Sequence, residues 1–188
     1  AQTFAGNDIV AGAATELATA IATRRAELES ESDHEAIAML VDTLILPRFD
    51  MRRGSRAILA EHWDSASQAD RDRFVTAFYD YLVATYGDLL LQFKPETLRV
   101  LPFDGDAAHS PARVHTIITL NDGTEVDVDF VMIGSGSDWR VVDIEAEGVS
   151  YVKTYRSQFR VDIAADGLGS VIEWLEQKAA SVPAPGTR

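Results

Sequence analysis

The segment from Trp139 to Phe159, WRVVDIEAEGVSYVKTYRSQF, constrains the fold most, because a strand pattern runs directly into a helix pattern. The helical half carries an apolar face and a basic face. The apolar face comprises Val149, Val152, Tyr155, Phe159 and Ile163, and the basic face comprises Lys153, Arg156 and Arg160. Spacing alone leaves open whether the apolar face packs into a solid core or lines a cavity.

Length and composition indicate a single globular domain. The chain has 188 residues, of which 46% are hydrophobic and 25% charged, and this is the composition of a folded protein. We expect one domain over residues 1–182 and a disordered tail over residues 183–188. The start at Ala1-Gln2 fits either the product of signal-peptide removal or a trimmed chain.

The charge and the absent cysteines exclude several kinds of chemistry. The net charge is -13, which repels nucleic acid phosphates and most membrane surfaces. There are no cysteines, so disulfides, thiolate metal sites and a cysteine nucleophile are excluded. No motif for a metal or a cofactor is found, and we expect neither.

The periodicity changes once along the chain, from helical to alternating, and then returns to helical. Helices are predicted over about 8–28, from the capping-box signal at Ser32 to Pro47, over 51–62 and from the second capping-box signal at Ser67 towards Pro95. Strands are predicted over 98–103, 113–120, 125–133 and 139–146, and helices again over about 149–165 and 168–180. This order predicts an α+β fold, in which a four-stranded antiparallel curved sheet is covered by N-terminal and C-terminal helices.

An enzymatic alternative rests on one acid/base pair. Asp143 and His115 are predicted on neighbouring strands, where a carboxylate and an imidazole can perform general acid/base catalysis of a lyase or isomerase type. Alternation, however, places Asp143 on the face of Trp139 and Val141, and His115 on the face of Arg113. The other histidines have no partner at metal-ligand spacing.

Large apolar side chains are directed to one interior from the long helix, the strands and the C-terminal helix. They are Phe74, Phe78, Leu82, Val114, Ile118, Val126, Val128, Phe130, Val142, Ile144, Val149, Val152, Tyr155 and Phe159. Periodicity cannot distinguish a filled core from a hollow one, so an adaptor with a solid core remains an alternative.

Several separated motifs resemble the MlaC family, the auxiliary toluene-tolerance proteins of ABC transporters. They are DWRVVDIEAEGVSYVKTYRSQF with the following GSVIEWLEQK, and LPRFDMRRGSRAILAEHW with ASQADRDRFVTAFYDYLVATYGDLL. The resemblance runs from about Leu40 to Lys178. Ala60 departs from the family pattern, which has a glycine before the tryptophan segment.

The resemblance implies a monomeric periplasmic carrier without enzymatic activity that holds a phospholipid by its acyl chains. It further implies transfer between an outer-membrane lipoprotein complex and an inner-membrane ABC transporter complex, which maintains outer-membrane lipid asymmetry. The apolar side chains given above would then line a lipid cavity at or beyond the upper end of the usual ligand range.

Two groups of basic residues are candidates for docking to partners or for contact with the lipid headgroup. The first is Arg52, Arg53 and Arg56, and the second is Lys153, Arg156 and Arg160. Pairing of these residues with acidic groups of the same chain is the equally weighted alternative.

Overall fold

The computed structural model describes residues 4–30, 34–91, 97–106, 108–120 and 122–181. The predicted tail and the capping residue Ser32 lie outside these ranges. None of the helices in the described ranges is long and apolar enough to span a membrane.

Helices occupy the N-terminal half and the C-terminal end. In chain order they are α1 (Ala5–Ser30), α2 (His34–Leu40), a π-helical turn (Val41–Ile45), a 3₁₀ turn (Leu46–Arg48), α3 (Met51–Leu59), α4 (Glu61–Ser65), α5 (Gln68–Leu91) and α6 (Tyr151–Ser181). Capping residues explain two of the starts. The Asp50 carboxylate accepts a hydrogen bond from the Arg53 amide at 2.9 Å at the start of α3, and the Ser67 hydroxyl accepts one from the Asp70 amide at 3.1 Å at the start of α5.

Two breaks shape the helices. The single helix predicted over 51–62 is divided at Ala60, whose φ of 48° and ψ of -118° are not helical. The predicted interruption between the last two helices is present at Gly167, where φ is 84°, a value that glycine adopts without a steric penalty.

The sheet is an antiparallel meander in the order β1-β2-β3-β4-β5. Its strands are β1 (Leu98–Val100), β2 (Ala112–Thr119), β3 (Glu125–Ser135), β4 (Asp138–Ala146) and β5 (Val149–Ser150). The fold class is therefore as predicted, with five strands instead of four. The added strand begins at Val149, which was assigned to the helix, because the turn at Glu147 and Gly148 returns the chain to pair with β4 before α6 begins.

A β-bulge in β4 changes the side-chain alternation. Val131 pairs with Asp143 and Met132 pairs with Val141, so Val142 has no residue opposite it. The bulge moves Asp143 off the face that Trp139 and Val141 share, which corrects the simple alternation predicted for this strand.

Among the described residues, the buried apolar side chains form three clusters. The first joins α3, α4, α5 and α6, and contains Phe74 and Phe159. The second lies between the start of α1 and the sheet, and the third joins α1, α2 and the π-helical turn. Single domains usually have one contiguous core, so the separation of these clusters suggests an empty volume between them.

Candidate functional site

A cavity of about 370 Å³ lies where the three clusters approach one another. Its walls come from the π-helical and 3₁₀ turns, α3, α5, the strands β3 and β4 and the first turns of α6. Each cluster contributes wall residues, for example Phe78 from the first, Val141 from the second and Val41 from the third. This volume is at the lower end of the usual range of ~300–1,000 Å³ for ligand cavities. The sequence-based expectation of a volume at or beyond the upper end was therefore wrong.

Half of the predicted lining residues are in the cavity wall. They are Phe78, Leu82, Val128, Val142, Ile144, Val152 and Tyr155. These side chains come from α5, β3, β4 and α6, so the structure brings together segments that are distant in the sequence.

The other half lie elsewhere, for reasons of packing. Phe74 and Phe159 fill the first cluster, and Val114 and Phe130 belong to or pack against the second. Ile118 and Val126 face each other across β2 and β3, away from the cavity wall. Val149 is 60% exposed. The sequence pattern predicted it on the C-terminal helix, but it lies in the short strand β5 before that helix.

The sequence analysis missed a second group of wall residues. It comprises Val41, Ile45, Leu46, Phe49, Tyr79 and Val83. The first four lie on or next to two irregular helical turns, where a regular helical period does not indicate which side chains face inward. The other two, Tyr79 and Val83, each follow a predicted wall residue by one position along α5, so a wider apolar stripe on that helix would have identified them.

The hydroxyls of Tyr86 and Tyr155 lie 3.2 Å apart at the cavity wall. Burial, followed by the hydrogen bond to Tyr86, raises the pKa of Tyr155 well above the usual tyrosine range. Tyr155 therefore remains neutral and adds polarity to the cavity wall without adding charge.

Among the described residues, two carboxylates line the cavity, and each accepts hydrogen bonds at the start of a helix. Asp50 caps α3 as described above. Asp143 accepts hydrogen bonds from the Ser150 hydroxyl and from the Val152 amide at 3.0 Å, and Ser150 in turn accepts one from the Lys153 amide at 3.0 Å. Backbone amides at a helix N-terminus stabilise negative charge, so Asp143 has a structural role at the start of α6.

The proposed catalytic pair is not formed. His115 Nδ1 lies 2.8 Å from the Asp129 carboxylate, whereas the hydrogen bonds of Asp143 go to Ser150 and Val152. The described residues also contain no group of three or more side chains arranged to hold a metal ion.

The first basic group is paired internally. Arg52 lies 2.6 Å from Asp72, Arg53 lies 3.6 Å from Asp50 and Arg56 lies 3.5 Å from Asp64. These contacts are exposed, and we expect each to stabilise the fold only weakly. The three arginines therefore remain on the surface, with their charge largely offset by neighbouring carboxylates.

The second basic group divides into two kinds. Arg156 is half-buried, and its Nε donates a hydrogen bond of 2.7 Å to the Ala57 carbonyl of α3. Lys153 and Arg160 are exposed, and within the described ranges neither side chain makes a hydrogen bond or an ion pair. Lys153 does interact electrostatically with Glu145. On the predicted basic face, Arg156 therefore links α6 to α3, whereas the side chains of Lys153 and Arg160 lie on the surface.

A second cavity of about 420 Å³ lies on the other side of α5 residues Tyr79, Val83 and Gly87, which line both cavities. Its lining includes the carboxylates of Asp42, Asp80 and Glu176. Tyr79 donates a hydrogen bond to Asp42. Burial, and then repulsion from Asp42, raises the pKa of Asp80 above its usual range.

The fold and the site together define a class of small α+β proteins that enclose an apolar cavity between a curved meander sheet and its covering helices. The sequence model of the family described as "MlaC protein" matches residues 13–177, and the chain belongs to this family. The chain is 24% identical over 187 residues to the toluene tolerance protein ttg2D of Pseudomonas putida, a match that covers 94% of this chain and 86% of that protein.

A solved structure shares the fold. It is that of a phospholipid-binding protein from Ralstonia solanacearum in complex with a phospholipid, with a TM-score of 0.85 and 24% identity. The match covers 96% of this chain and 99% of that one.

Proposed function

We propose that this protein is a periplasmic phospholipid carrier that encloses acyl chains in the apolar cavity and moves lipid between membrane complexes. The observation that carries the proposal is a cavity whose walls are almost wholly apolar, and in which both carboxylates are bound at helix starts. Membership of the MlaC family and the fold shared with a phospholipid-binding protein support it.

The energetics of transfer favour a carrier of this kind. Each methylene that leaves an apolar environment for water costs about 0.8 kcal/mol, so a lipid with long acyl chains crosses an aqueous space very slowly without help. In the cavity the chains stay away from water, and the free energies of the lipid in the membrane and in the carrier remain similar.

The surface charges favour docking to protein partners over adsorption to a bilayer. A net charge of -13 limits adsorption to anionic bilayers, and the exposed Lys153 and Arg160 provide local positive charge for acidic partner surfaces. We propose that the partners are an outer-membrane lipoprotein complex and an inner-membrane ABC transporter complex, and that transfer between them maintains lipid asymmetry.

The direct test is to purify the protein from cells under native conditions, record its native mass spectrum and extract the bound material. We expect a stoichiometric phospholipid, and we expect the purified protein to accelerate phospholipid transfer between donor and acceptor vesicles. Protein without bound lipid that also fails to accelerate transfer would contradict the proposal and favour an adaptor with no ligand.

A further inference from the structure

Ser55 is a polar residue in the apolar cavity wall, and its hydroxyl has no partner. The residue lies in the middle of α3 and is 1% exposed, and its Oγ makes no hydrogen bond. Buried hydroxyl groups are nearly always hydrogen-bonded. The absence of a partner at this position therefore indicates that something else supplies one.

The usual partner of a helical serine or threonine is the carbonyl four residues earlier. This chain uses that contact repeatedly: Thr15, Thr19, Thr43, Thr154 and Ser170 each donate to it at 2.7–3.0 Å. Those residues can also contact water, because they are exposed or only partly buried. Ser55 is buried and does not make this contact, so it differs from these five residues.

The other hydroxyls of the described cavity wall are either hydrogen-bonded or open to solvent. Tyr79 donates to Asp42, and Tyr151 is 41% exposed. Tyr86 and Tyr155 are hydrogen-bonded to each other, and the Ser150 hydroxyl beside the cavity donates to Asp143. Ser55 is therefore the buried hydroxyl of the described cavity wall that has no partner and is left for a ligand.

The negative charge of the cavity wall favours a ligand whose hydrogen-bond acceptor is neutral. Its charged lining residues are the carboxylates Asp50 and Asp143, and neither Lys153 nor Arg156 is part of the wall. A phosphate or a free fatty acid would bring a further negative charge into an apolar space, which is costly. An ester carbonyl is neutral and accepts a hydrogen bond, and it lies at the junction of an acyl chain and the glycerol.

We propose that the Ser55 hydroxyl donates a hydrogen bond to an ester carbonyl of the bound lipid, and that this contact makes the cavity selective for ester-linked over ether-linked acyl chains. The inference rests on the proposed carrier function and extends it to the linkage chemistry of the ligand. The contact also sets the depth to which the lipid enters, because Ser55 lies on the buried wall and not on the surface.

The test compares two short-chain phosphatidylcholines that have the same headgroup and chain length, one with two ester linkages and one with two ether linkages. Each is titrated into delipidated protein by calorimetry. We expect the wild-type protein to bind the diester about five- to tenfold more tightly, the ratio that one net hydrogen bond provides. Ser55→Ala should bind the diester as weakly as the diether, and its diether affinity should stay within about twofold of wild type.

Two further variants complete the design. Ser157→Ala removes an exposed serine of α6 and should keep the full ester preference. Ser55→Cys, which has a similar size and a weaker donor, should show an intermediate preference and serves in place of Ser55→Ala if that variant does not fold.

The outcomes separate the inference from the function on which it rests. A wild-type protein that binds both lipids equally, or a Ser55→Ala variant that keeps the ester preference, would overturn the inference and leave the carrier function intact. A wild-type protein that binds neither lipid would overturn both.

Discussion

Ala60 carries the clearest backbone strain in the described chain. Its φ of 48° and ψ of -118° bring the Cβ of an L-residue into steric conflict, at a cost of about 1–3 kcal/mol. The strained turn separates α3 from α4 and allows Trp63 to enter the first cluster, where it is 5% exposed. Ala60 is also the position at which the resemblance predicts a glycine, and the backbone geometry gives a physical reason for that expectation.

We predict that Ala60→Gly stabilises the protein by about 1 kcal/mol, because the relief of strain exceeds the entropy that glycine loses on folding. Urea unfolding followed by circular dichroism measures the difference. The matched control is Ala57→Gly, three residues earlier in regular helix, which should instead destabilise the protein by ~0.5–1 kcal/mol. A loss of stability in both variants would show that Ala60 is not strained.

At the scale of single elements, α6 is fixed at its start and along one face. Asp143 and Ser150 cap its first turn, and Arg156 links it to the end of α3 through the Ala57 carbonyl. A charged donor on a half-buried carbonyl is a strong contact. The cavity wall needs α3 and α6 at a fixed separation, so this contact maintains the shape of the cavity. Arg160, one turn later, has no such role.

We therefore predict that Arg156→Met lowers the free energy of unfolding by about 1–2 kcal/mol, because it leaves the Ala57 carbonyl without its donor. Arg160→Met, the matched change at an exposed position of the same helix, should stay within ~0.5 kcal/mol of wild type. Chemical denaturation of the two variants tests this directly. Equal stabilities would mean that Arg156, like Arg160, acts mainly at the surface.

At the scale of the whole molecule, three apolar clusters surround a cavity instead of merging into one core. The first and third clusters approach each other at α5, where Phe78 belongs to one and Tyr79 packs against the other. The cavity of about 370 Å³ is small for a lipid with two long chains. The second cavity shares the Tyr79, Val83 and Gly87 wall, so a displacement of α2 and the π-helical turn from α5 would join the two volumes.

A tryptophan placed in the wall should reduce lipid binding, because it occupies the volume that an acyl chain needs. We predict that Val128→Trp purifies with much less phospholipid than wild type, as measured by native mass spectrometry, while circular dichroism confirms that it is folded. Phe130→Trp is the control, two residues along the same strand, since Phe130 packs against the second cluster and does not line the cavity. Full lipid content in folded Val128→Trp would show that lipid binds elsewhere.

Local sequence patterns located most of the elements, although β5 and the break at Ala60 were not predicted. The turn residues Gly123 and Gly148, which have φ of 84° and 76°, and the capping residue Ser67 identify where strands and helices begin and end, because these signals depend only on neighbours along the chain. Alternation failed at Val142, since a bulge depends on how the partner strand is aligned and leaves no local signal.

The sequence by itself determined the α+β class, the order of elements and, through the family motifs, the expectation of an apolar ligand. Only the tertiary structure decided which apolar side chains line a cavity and which fill a core: Phe78 and Phe74 lie one helical turn apart on α5, yet one is in the wall and the other is not. It likewise decided that Arg156 anchors a helix and that Ser55 lacks a partner. A helical period specifies the face on which a side chain lies, whereas the neighbour that it meets depends on how distant segments pack.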